Sequence, residues 1–149
     1  MDRDDLLQPT LAGHQTRPPV DKPWRVGSQV YVAFFGGALA VGAIGALNAR
    51  TLRMSARAVA AIAGIALAAE AALVTAVVAT DTDEIRIISI VAGLAAFGGS
   101  YLLQRSPDRV YHFHSDDEEP YESLFGPGLI ACICARIIEG ILLFGVLDA

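Results

Sequence analysis

Charge, aromatic rings and cysteine are all scarce in this chain. Of its 149 residues 18% are charged and 7% aromatic, and there are two cysteines. Two cysteines make no disulfide framework. Cys132 and Cys134 are two apart, so on a helix they point to nearly opposite sides and one ion cannot easily take both. With no matching Cys or His beside them a zinc site is excluded, and they read as ordinary apolar helix residues. There is no Gly-rich phosphate loop, no nucleophile elbow and no HExxH sequence, so the chain is read as non-enzymatic and without a cofactor. A net charge of −5 leaves no footprint for nucleic acid.

What is abundant is apolar sequence. Hydrophobic residues make up 54%, and the mean hydropathy is +0.48. Most charges fall before Arg25, in 50–57, in 81–86 and in 105–122, with long uncharged runs between them. Such segregation describes membrane spans joined by loops, because a helix needs about 20 apolar residues to cross the hydrocarbon. The sequence therefore predicts an all-α, four-helix transmembrane bundle. Its spans are 26–49, 58–80, 87–104 and 127–147, behind a polar, proline-rich tail at 1–25 and with an acidic loop at 105–126. No signal peptide or lipidation motif is evident.

Lipid supplies no hydrophobic drive between helices, so packing depends on small residues that let backbones approach. In the first span Gly37 and Gly42 supply such a surface. The Gly36–Gly37 pair also permits a bend, and packing is the favoured reading. The second span has alanine at 11 of its 23 positions. Small residues recur there every fourth place: Ala56, Ala60, Gly64, Ala68, Ala72 and Ala76. That stripe is predicted to pack inside the bundle or against a copy or a membrane protein partner. The remaining surface contacts lipid.

Three charges interrupt the spans. Arg136 and Glu139 are three apart and share a helix face. Glu70 lies about as deep in its own span, roughly 18–20 Å at 1.5 Å per residue. The three are predicted to share one layer as a buried polar cluster. One Arg and two Glu leave a net charge of −1 if both acids ionise, so the layer is expected to hold a proton between its acids. Such a cluster serves either to pair helices, the leading reading, or to carry protons in a transporter or channel component. Membrane enzyme chemistry is a third reading, with His112, His114 and the loop carboxylates as its candidates. In an extended segment His112 and His114 face the same way, and with Asp116 they could hold a divalent cation.

With four single crossings both termini lie on one side. Arg17, Lys22, Arg25 and Arg86 stand near the spans on that side, against Arg50, Arg53, Arg57, Arg105 and Arg109 on the other. The positive-inside rule then leans only slightly toward loops inside and termini outside. The segment Val32–Leu52, with Phe34–Phe35–Gly36–Gly37, Leu39–Ala40 and Asn48, resembles small bacterial four-span membrane proteins of unassigned function. That resemblance implies a four-span layout in a bacterial inner membrane and no particular activity.

Overall fold

The computed structural model describes residues 22–80, 85–115 and 119–147. The tail to residue 21, Asp116 and the acids of 81–84 lie outside them. The described chain is all-α. A 3-10 turn, Val26–Ser28, leads into α1 (Gln29–Thr51), followed by α2 (Ala56–Thr80), α3 (Ile85–His114) and α4 (Phe125–Leu147). Four helices, the first counted with its leading turn, are long and apolar enough to cross a membrane. Local chemistry sets their ends. Arg53 takes a left-handed φ of 53° just past α1, Ser55 Oγ accepts from the Ala58 N–H at the start of α2, and Pro127 sits in the first turn of α4, where no N–H is needed.

α1 is not one straight helix. Gly37 interrupts it with φ 75° and ψ −165°, a region open essentially to glycine alone. Contacts along α3 locate each part of α1. The Val26–Ser28 turn packs on α3, where Val26 meets Asp108. Gly37 lies against Ser89 and Gly93, near the other end of α3. Asn48 then returns to Gln104, with its Nδ2 donating to Oε1 at 3.0 Å. The Trp24 N–H donates to Asn48 Oδ1 at 2.8 Å. A straight helix would hold Asn48 about 28 Å from Gln29, beyond the reach of the five residues that link Trp24 to it. α1 is therefore a re-entrant hairpin. An entering arm (29–36) runs parallel to α4, and a returning arm (38–51) runs parallel to α3.

The hairpin is the centre of the bundle. It packs on α2, α3 and α4, whereas among the described residues the backbones of α3 and α4 stay apart and a side chain of α4, Arg136, reaches Ser89 of α3. Close approach comes from glycines of α1 and α3. A side chain at Gly42 would run into Ala66 of α2, and one at Gly93 into the Ala33 carbonyl of the entering arm. The mouth of the hairpin is closed by a buried polar chain from Trp24 to Asn48 to Gln104 to Ser100, the last bond at 2.7 Å.

Three expectations change. First, the described N-terminal residues and the end of α4 lie at opposite ends of the bundle, because α1 returns to the end it came from. Second, 105–114 is helix rather than loop. α3 runs through Pro107, and residues 119–124 fold back on its last turns, with Tyr111 Oη donating to the Pro120 carbonyl at 3.0 Å and the Trp24–Glu122 bridge beside them. Third, Ala60, Gly64, Ala68 and Ala72 face outward, and a side chain at Gly64 would meet nothing. The inward face of α2 is Ile62, Ala66, Glu70, Leu73 and Val77.

These placements separate two glycine substitutions. Gly37→Ala forces a Cβ into a strained backbone and should cost about 1–3 kcal/mol. Gly64→Ala should be neutral or slightly stabilising, since Ala is the better helix former. Reversible unfolding of the purified protein in mixed micelles measures both, and equal effects would contradict the hairpin.

Candidate functional site

The break at Gly37 brings one group from each helix to a single layer. Reversal exposes the last carbonyls of the entering arm, which lose their helical partners. Arg136 Nε donates to one of them, the Phe35 carbonyl, at 2.7 Å. Its Nη1 donates to Ser89 Oγ of α3 at 2.6 Å and to Glu139 Oε2 at 2.8 Å. One guanidinium thus ties the hairpin tip, α3 and α4 together. The fork geometry of arginine permits this where a lysine ammonium would not.

Glu139 is 5% exposed and pairs with Arg136 across one helical turn. Glu70 is also 5% exposed, but neither of its carboxyl oxygens has a hydrogen-bond partner among the described residues. It interacts electrostatically with both Glu139 and Arg136. The layer thus contains one satisfied ion pair and one unsatisfied carboxyl. Glu70 lies about 21 Å along α2 and Arg136 about 17 Å along α4, measured from the end where the hairpin opens.

Sequence reasoning named Glu70, Arg136 and Glu139, and the structure brings them together. It missed Ser89 and the Phe35 carbonyl. Ser89 begins a buried stripe on α3 that continues through Gly93, Ala96, Ser100 and Gln104, so its spacing carried a signal. Gly37 lies under the cluster, and a Cβ there would stand 3.3 Å from Glu139 Oε2.

The histidine pair does not form. His112 and His114 are in the last turn of α3, where residues two apart point to nearly opposite sides. His114 Nδ1 lies 2.8 Å from the Val110 carbonyl, and the His112 ring stacks on Tyr121 at 6.0 Å. No group of three His, Cys, Asp or Glu that could hold a metal ion occurs among the described residues. Cys132 is buried against Val32 and Cys134 is exposed.

A pair of variants tests the ion pair. Arg136→Leu leaves Glu139 buried without its partner and should destabilise by about 3 kcal/mol, the low end for a broken buried pair because Arg136 is one-third exposed. Arg136→Leu combined with Glu139→Leu should recover the part due to the unpaired acid but not the part due to the Phe35 carbonyl and Ser89, which stay without their donor. Unfolding in micelles reads both values, and a double variant no better than the single would show that the two do not act as a pair.

Comparison with protein-family models, curated proteins and solved structures finds no match to this chain.

Proposed function

We propose that this small multi-pass membrane protein binds and passes protons inside the bilayer, as a component of a proton-coupled transporter or channel. One observation carries the reading. Glu70 has both carboxyl oxygens buried, and unpartnered among the described residues, beside the charged tip of a broken helix. An ionised carboxylate in hydrocarbon without partners is costly, so the group has to take up a proton or a cation to remain there. Backbone that leaves helical geometry at membrane depth is tolerated where it lines protein or a cavity, and interrupted helices commonly mark ion sites. A structural pair needs only Arg136 and Glu139. The third group is left over for function.

The fold also supports an orientation. Lys22, Arg25, Arg50, Arg53, Arg57, Arg105 and Arg109 belong to the end where the hairpin opens, and Arg86 to the other. Among the described residues, seven against one supports a cytoplasmic hairpin mouth. A second reading, assembly with copies or a membrane partner, is favoured by the outward stripe of Ala60, Gly64, Ala68 and Ala72 on α2. It is compatible with the first, since four helices enclose little space.

Reconstituted in liposomes, the protein should dissipate an imposed pH gradient, and Glu70→Gln should cut that flux at least tenfold. Flux from the native protein equal to empty liposomes would refute the reading. Orientation is tested with single cysteines in a Cys132→Ser, Cys134→Ser background. An impermeant maleimide on intact cells should label Arg86→Cys and spare both Gly27→Cys and Ser55→Cys. If Gly27→Cys and Ser55→Cys differed, α1 would be a single crossing.

A further inference from the structure

We propose that the groove between the entering arm of α1 and α4 binds a membrane-soluble quinone, with Arg136 Nη2 donating to a ring carbonyl. Neither Glu70 nor Glu139 lines the groove, which shares only Arg136 with the charged layer. It consists of two adjoining hollows of about 430 Å³ each, which share Phe35 and Cys132. The first, beside Phe125 and Leu129 at the mouth end, is walled almost wholly by apolar side chains. The second runs along Ile133 and Ile137 to Arg136. Each is within the size range of small-molecule sites.

The chemistry of the occupant follows from what Arg136 lacks. A guanidinium has five N–H donors. Three are taken by the Phe35 carbonyl, Ser89 Oγ and Glu139 Oε2. Nη2 has no partner among the described residues, and the side chain is 34% exposed. At this depth lipid tails offer no acceptor, so two unsatisfied donors face hydrocarbon.

An acceptor oxygen is missing, but a counter-charge is not. Glu139 already balances Arg136, and Glu70 adds a further acid to the layer. An anionic head would bring one more negative group into it, whereas a neutral carbonyl satisfies Nη2 without cost in charge. Phospholipid ester carbonyls stay at the interface, about 15 Å from the middle of a 30 Å core. Nη2 requires a neutral carbonyl carried into the hydrocarbon on an apolar body, with a tail able to lie along Phe35, Leu129 and Phe125. Quinones have that form.

The test uses the full chain in phospholipid nanodiscs and an azide-bearing benzoquinone with a decyl tail as photolabel. Labelling should saturate and map to 31–35 and 125–137. Unlabelled decyl benzoquinone should compete, while palmitate and decylbenzene should not. Leu129→Trp, at a half-exposed position, fills the groove without touching the Arg136 bonds and should lower labelling at least tenfold. Absence of saturable labelling, or labelling indifferent to Leu129→Trp, would overturn the site. Equal competition by palmitate would overturn the neutral carbonyl, and equal competition by decylbenzene would overturn the role of Nη2.

Discussion

A helix that turns back inside a bilayer leaves carbonyls at the end of one arm and amides at the start of the next, with no water to satisfy them. In this protein the reversal is at Gly37, and the Arg136 guanidinium supplies a donor to the Phe35 carbonyl. The same group reaches α3 through Ser89 and balances Glu139. The reversal and the charge depend on each other. Without the break no main-chain acceptor would be free at that depth, and without the arginine the freed carbonyl would face hydrocarbon. A cation that looks expensive on one helix is a joint between three.

The other end of the hairpin is held by neutral chemistry. Asn48, Gln104 and Ser100 form a buried chain that begins at the Trp24 N–H. Hydrogen bonds of this kind contribute modestly in membranes, of order 0.6 kcal/mol on average, yet each unsatisfied member would cost more. Their combined effect is to fix the mouth so that the tip can reach Ser89 and Glu139. The glycines do the rest. Gly42 and Gly93 let α2 and the entering arm approach where any side chain would collide.

Much of this was legible in the sequence, and the reasons for what was not are specific. Long uncharged runs identified four apolar helices, and equal depth brought Glu70, Arg136 and Glu139 into one layer. The fold-back was hidden because 24 uncharged residues satisfy the length of a span whether they cross or return. Gly36–Gly37 carried the signal for a bend, but close packing explains a glycine pair equally well, and here Gly36 does pack on Cys132. The stripe on α2 faces away from the hairpin for a related reason. At the α1–α2 contact Gly42 of α1 meets Ala66, a small residue of α2 that lies outside the stripe. α2 could therefore turn its larger residues inward and leave Ala60, Gly64, Ala68 and Ala72 outside. Pro107 and the charges after Gln104 read as loop, although one proline removes only one helical bond and Tyr111 and Tyr121 fasten the following turns.

A hairpin that stops at mid-depth makes the two halves of the bundle unequal. Toward its mouth, α2, α3 and α4 all pack on α1. Beyond the tip α1 is gone, and α4 loses its main neighbour. Ile141, Leu142 and Phe144 are exposed there, whereas Cys132, Ala135 and Glu139, level with the entering arm, are buried. On α4 the charged layer thus marks the end of the buried face, whereas α2 stays buried past it at Leu73 and Val77. Glu70 lies at that level on α2, with the hairpin tip beside it.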